Sequence, residues 1–138
     1  MAGLPETDHT IPVQPVFSRQ DERGSFTEVV NKGNWQALIC GRMIRGAILG
    51  QHYHRETTIF LFLQSGKAEV WTEDVISGAK FRTPLDAGQG LTLSPFQAHA
   101  VRFLTESDYI LLKSRAYSPD APDTYHHIVN VPPLDGTF

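Results

Sequence analysis

Histidines at 52 and 54 flank a tyrosine inside the run RGAILGQHYHRETTIFLFLQSGKAEV, residues 45–70. In an extended strand, residues i and i+2 point to the same face. The spacing therefore predicts two imidazoles side by side in one space. Neutral imidazole is a good ligand for zinc, iron, nickel or copper. It also titrates near ~6.5 when unperturbed, so it can exchange protons at neutral pH. The His52/His54 pair suits either metal ligation or acid–base work on one small molecule.

Such a pair needs rigid elements around it, and the chain supplies them as short apolar runs between turn signals. Strand-like segments lie near 16–18, 25–30, 36–40, 42–49, 51–54, 58–63, 67–73, 80–83, 90–93, 99–104 and 109–115. Turn chemistry separates them at Asp21-Glu22-Arg23-Gly24, Asn31-Lys32-Gly33-Asn34, Ser65-Gly66, Ser77-Gly78, Asp86-Ala87-Gly88 and Ser94-Pro95. No long stretch has helical periodicity. Many short, evenly spaced strands predict an all-β antiparallel sandwich or barrel. The organisation expected is an extended or disordered arm over 1–15, one domain over 16–131 and a tail over 132–138. The segment from Ser118 should pack as irregular chain or a short helix. Ile59-Phe60-Leu61-Phe62-Leu63 is apolar at every position, whereas a strand with one wet face should alternate. This strand is expected to be covered on both faces, with a homodimer as the simplest cover.

Composition narrows the function. The chain has 138 residues, a net charge of −3 and no Lys/Arg block, which argues against a nucleic-acid partner. The single cysteine, Cys40, rules out an intrachain disulfide framework and fits a reducing cytoplasm. The N-terminal sequence does not read as a secretory signal. No apolar run approaches the ~20 residues of a membrane span.

Gly46…His52-x-His54…Gly66 resembles the first motif of the cupins, and Gly90…Pro95-x-x-x-His99 resembles the second. Asp21-Glu22-Arg23-Gly24-Ser25-Phe26-Thr27-Glu28 is similar to the D-x-R-G-x-F-x-E stretch of nucleotide-sugar epimerase cupins. Pro119 to Tyr125 is similar to the tail of the cupin domain in bifunctional UDP-N-acetylhexosamine epimerase/reductases. Size and the Pro95-to-His99 spacing also resemble dTDP-4-keto-6-deoxyhexose ketoisomerases. The resemblance implies an antiparallel cupin (jelly-roll) β-barrel with the motif histidines meeting inside it. It implies a metal set of His52, His54 and His99, holding a divalent transition ion such as zinc, iron or nickel, with no organic cofactor. It places His52 and His54 in proton transfer, and Arg23, Phe26 and Glu28 in a nucleotide grip. Arg matches phosphate oxygens with its fork of donors. Tyr125 is a candidate acid on the opposite face of the substrate. The other reading of 21–28 is a turn followed by an ordinary strand.

One departure bears on the site. Metal-binding cupins usually carry a glutamate four or five residues after the second histidine, and here Thr58 and Ile59 stand there. Glu56 shares the parity of His52 and His54 and is the possible substitute. The leading expectation is an epimerase or ketoisomerase on a nucleotide-linked 4-keto sugar. One histidine would take the proton alpha to the carbonyl, and a metal, a protonated second histidine or an arginine would hold the enolate. The alternatives are a metal-dependent cyclase, lyase or dioxygenase acting on a hydrophobic molecule, and a non-catalytic binding module.

Overall fold

The computed structural model describes residues 11–134, so residues 1–10 of the expected arm and 135–138 of the expected tail lie outside the described residues. Eleven strands and no helix make up the described chain. They are β1 (Phe17–Asp21), β2 (Gly24–Glu28), β3 (Ala37–Met43), β4 (Ile48–Tyr53), β5 (Ile59–Ser65), β6 (Lys67–Asp74), β7 (Lys80–Asp86), β8 (Gly90–Leu93), β9 (Gln97–Phe103), β10 (Ser107–Lys113) and β11 (Tyr125–His126). β1 and β2 form a separate hairpin. One sheet has the order β3-β10-β5-β8 and the other β11-β4-β9-β6-β7. All pairings are antiparallel. No helix among the described residues is long and apolar enough to cross a membrane.

Alternation along the strands builds the interior. Ile59, Leu61 and Leu63 from β5 meet Ala68 and Val70 from β6, Leu91 and Leu93 from β8, and Val101 and Phe103 from β9 in one buried cluster. The sequence expectation that the 59–63 run is covered twice holds for Phe60, but its cover differs from that expected. Phe60 points outward yet is only 4% exposed. It lines a hollow with Val13, Val16, Trp35 and Thr92, contributed by its own chain. Val13 also bridges to Gly90 through both main-chain groups, which ties the end of the arm to β8. A Cβ on Gly90 would lie 2.2 Å from the Phe60 ring, so glycine is needed there for the ring to lie flat.

Two boundaries differ from the sequence expectation. The expected segments 36–40 and 42–49 are redistributed: β3 runs through Cys40 and Gly41 to Met43, and the break falls at residues 44–47. Gly41 stays in the strand because the Tyr109 ring occupies the space of its missing side chain. Gly46, at φ 90°, makes the actual turn. In the expected irregular tail, Tyr125 and His126 pair with β4. The chain then covers the outer face of the larger sheet, where Val129 packs on Ala98 and Ala100, beside Trp71. Two alanines leave room for that strap. Arg102 fastens it by donating to the carbonyl of Pro132, while Arg102 and Arg82 share the Glu69 carboxylate.

The outer face of the smaller sheet keeps an apolar patch. Leu38 and Leu112 face each other there, as do Cys40 and Ile110, with Phe62 beside Ile110. Leu38 is 62% exposed. We propose that a second copy of the chain covers this patch. Light scattering of the wild-type protein is expected to give twice the monomer mass, and Leu38→Glu to give the monomer. A monomeric wild type at micromolar concentration would count against it.

Candidate active site

A β-bulge decides where the histidines point. β4 pairs with β9 as Leu49 with Val101 and Gly50 with Ala100, and then His52 with His99. Gln51 is the extra residue, and the register shifts across it. Leu49 and Val101 face the core, so strict alternation would send Gln51 and Tyr53 inward and both histidines outward. The insertion reverses the parity, and His52 lands beside the inward-facing His99. The bulge uses positive φ at Gly50 (104°) and at Gln51 (63°). A Cβ at position 50 would sit 2.5 Å from the His99 carbonyl oxygen, so β4 and β9 approach this closely only with glycine. The C-terminal strap holds the irregular residue: the Gln51 side chain accepts from Val129 N–H at 2.6 Å, and the Gln51 carbonyl accepts from His127 N–H at 3.0 Å.

The three candidate ligands meet. One ring nitrogen from each of His52, His54 and His99 lies within 4.8 Å of the others. The ring centroids are 4.9 Å apart for His52 and His54, 4.8 Å for His52 and His99, and 5.8 Å for His54 and His99. His54 Nδ1 lies 2.6 Å from the carbonyl oxygen of Asp123. A carbonyl can only accept, so Nδ1 carries the proton and Nε2 presents a lone pair. Nε2 is buried and has no hydrogen-bond partner among the described residues. His99 Nδ1 makes a longer contact, 3.3 Å, to the Gln97 carbonyl. Opposite His99 on β6 stands Thr72, whose buried hydroxyl also lacks a partner.

The cluster is built to be neutral. Burial, followed by the proximity of His54 and of Lys113, pushes His52 down to about 4. Burial, followed by His52, pushes His99 down to about 3. Burial also lowers His54, against the opposing pull of the Asp123 carbonyl. A protonated second histidine, one of the three expected enolate holders, therefore does not fit at neutral pH.

Asp123 is the residue that sequence reasoning missed. Its carboxylate accepts from the N–H groups of Arg55, Glu56 and Thr57 and from the Thr57 hydroxyl, all between 2.8 and 2.9 Å. Burial works to raise its pKa, but these donors outweigh burial and hold it at about 2. One residue thus fixes the loop after His54 through its side chain and the ring of His54 through its backbone. The signal available in the sequence is the PDAPDTY stretch from Pro119 to Tyr125, whose resemblance points to Tyr125 rather than to Asp123.

The remaining candidates lie elsewhere. Glu56 is 72% exposed at its side chain and pairs with Arg115 at 3.5 Å, so it does not replace the missing glutamate. Tyr125 stacks on Tyr53, with ring centroids 5.4 Å apart and the Arg55 guanidinium 4.2 Å from its ring. Tyr53 belongs to the cluster under the strap, so the structure does not bring Tyr125 to the histidines. Arg23, Phe26 and Glu28 sit on the β1–β2 hairpin. Arg23 is 84% exposed and pairs with Asp21, Phe26 contacts Phe17, and Glu28 accepts from Asn31. Arg23 and Phe26 line a shallow hollow that contains no histidine.

Residues 19–125 match the family model described as the polysaccharide biosynthesis C-terminal domain. The chain belongs to that family. The match runs from the hairpin to Tyr125 and takes in all three histidines and Asp123. Solved structures with the same fold include the capsular polysaccharide assembling protein CapF from Staphylococcus aureus, at 22% identity and a TM-score of 0.65 over 83% of this chain and 35% of that one. They include dTDP-4-dehydrorhamnose 3,5-epimerase from Sulfolobus tokodaii, at 24% identity and a TM-score of 0.65 over 75% of this chain and 69% of that one. The rmlC epimerase of Mycobacterium tuberculosis gives a TM-score of 0.69 at 18% identity, over 83% of this chain and 66% of that one. The chain spans about a third of the CapF chain. No curated protein matches the chain by sequence. At these identities the likeness is one of fold, and the cupin jelly roll expected from the sequence is the fold this family member has.

Proposed function

We propose that this protein is an epimerase or ketoisomerase of a nucleotide-linked 4-keto sugar. The observation that carries the reading is the convergence of three neutral imidazoles, with one lone pair, at His54 Nε2, buried and unused. A buried neutral imidazole with its tautomer fixed on the far side is suited to take a proton. His54 Nε2 accepts the hydrogen alpha to the ketone. The C–H pair becomes the C=C bond of the enolate, and the carbonyl π pair moves onto oxygen. Return of a proton from water to the opposite face of the carbon inverts the centre, while protonation of the former carbonyl carbon with loss of the neighbouring hydroxyl proton moves the carbonyl. Membership of a polysaccharide-biosynthesis family and fold neighbours named as epimerases support a sugar substrate. In this reading the exposed Arg23, Phe26 and Glu28 are the nucleotide grip. The test is incubation with dTDP- and UDP-4-keto sugars in heavy water. Deuterium in the recovered sugar is expected, and its absence from every sugar offered would sink the reading.

A second reading is favoured by the donor set itself. Three imidazoles at mutual ligand distance, with an orphaned nitrogen and no protonated member, fit a divalent transition ion such as zinc, iron or nickel. His52, His54 and His99 would hold it, and it would supply Lewis acidity toward a carbonyl oxygen. Elemental analysis separates the two readings. Under the acid–base reading, purified protein exchanges deuterium without stoichiometric metal and keeps its activity in a chelator. Stoichiometric metal, loss of activity on chelation and no nucleotide-sugar binding would favour the metal-dependent cyclase, lyase or dioxygenase.

A further inference from the structure

Taking a proton from carbon leaves negative charge on the carbonyl oxygen. In a site that excludes water, a group of positive charge or a preorganised donor has to meet it. Arg115 lies near the loop that covers His54, but it is occupied with Glu56 at 3.5 Å and Asp123 at 4.0 Å.

One cation remains. β10 turns Tyr109 and Leu111 toward the core cluster, and Lys113 has the same parity. Across the sheet Lys113 pairs with Ile59, itself a buried core residue, so the lysine side chain leaves the strand on the barrel side. There it lines one hollow with His54, Thr57 and Asp123. Asp123, the carboxylate that lines the same hollow, is committed to the main chain of the 55–57 loop. Among the described residues the Lys113 ammonium makes no hydrogen bond or ion pair; its main-chain carbonyl accepts from Gln36 N–H. A half-buried ammonium beside an imidazole cluster, with no carboxylate of its own, is placed for an anionic oxygen of a ligand.

We propose that Lys113 is the catalytic residue that holds the enolate oxygen, its ammonium facing the histidine cluster from the end of β10. This deepens the epimerase reading and rests on it. When His54 Nε2 takes the alpha proton, the electron pair displaced onto the carbonyl oxygen is stabilised by the Lys113 N–H donors. When carbon is reprotonated, the pair returns to the C=O bond and Lys113 is left unchanged. No oxidant or reductant is involved.

The experiment uses the full chain with dTDP-4-keto-6-deoxyglucose in heavy water, reading deuterium incorporation for wild type, Lys113→Met, Lys113→Gln and Lys113→Arg. Both neutral variants are expected to lower kcat by about 10²–10³-fold with KM changed by less than roughly threefold, as for loss of one oxyanion donor. Lys113→Arg keeps the charge and is expected to recover part of the rate. An undiminished kcat in the neutral variants overturns the assignment while leaving the epimerase reading intact. A rise in KM at constant kcat also overturns it, because Lys113 would then hold the substrate diphosphate. No exchange by wild type with this sugar or with any other dTDP- or UDP-4-keto sugar offered sinks the epimerase reading and this inference together. Thermal melting of each variant, expected to match wild type, separates a chemical loss from a folding loss.

Discussion

His54→Gln is expected to slow solvent-deuterium exchange into the keto sugar by about 10²–10⁴-fold, the range over which a positioned general base acts. Glutamine preserves bulk and a donor for the Asp123 carbonyl but has no basic lone pair at the Nε2 position. The fold should survive, since the loop after His54 is anchored by the Asp123 carboxylate rather than by the ring. The pH profile gives a second readout. Burial lowers the pKa of His54, and the protonated form is inactive as a base. In the metal-free protein the acid limb of the rate profile should therefore lie below the ordinary histidine value of ~6.5. A limb at or above that value would contradict a buried neutral base. Stability has the same sign: the depressed histidines favour folding above ~6.5 and weaken it as pH falls toward their folded values, about 4 at His52 and about 3 at His99.

Asp123→Ala should be the most damaging single change for stability. It removes a carboxylate that accepts four hydrogen bonds and leaves three main-chain N–H groups of the 55–57 loop unpaired. Bonds to a charged acceptor that are not replaced give an expected loss of about 3 kcal/mol. For a domain of this size that is a drop of roughly 10 °C in Tm. The pH dependence follows from the folded value of about 2 against an ordinary 3.8. A depressed carboxyl contributes its stability above the unfolded value and loses it as pH falls through the folded one. The wild-type protein should thus lose about 2 kcal/mol from this group between roughly pH 5 and 2. Asp123→Ala should flatten that part of the stability curve, measured by urea unfolding at several pH values. Equal acid sensitivity in the variant and wild type would refute the role.

Much of the fold was legible from local pattern. β5, β6, β8 and β9 stand within two residues of their expected bounds at either end, because alternation and turn chemistry are short-range. The misjudged stretch, 36–49, contains glycines with opposite jobs. Gly41 stays in a strand because Tyr109 needs its space, and Gly46 makes a turn. Nothing in the local sequence separates a glycine that yields room to a distant ring from one that bends the chain. From the sequence alone Lys113 reads as one more strand cation. Its inward parity follows from Tyr109 and Leu111, once β10 is known to pair with Ile59.

The sequence by itself determined that His52, His54 and His99 are the residues able to do chemistry, that the strands are antiparallel and short, and that no glutamate stands at positions 58 or 59. The tertiary structure decided which face the histidines occupy. Side-chain parity in a strand is defined only relative to its partner. The extra residue at Gln51 becomes visible only when β4 is set against β9, some 50 residues away, and the strap residues Val129 and His127 hold it. The same long-range contacts kept Glu56 out of the site and brought the Asp123 backbone into it. A period-two pattern names the candidates, and the register of distant strands assembles them.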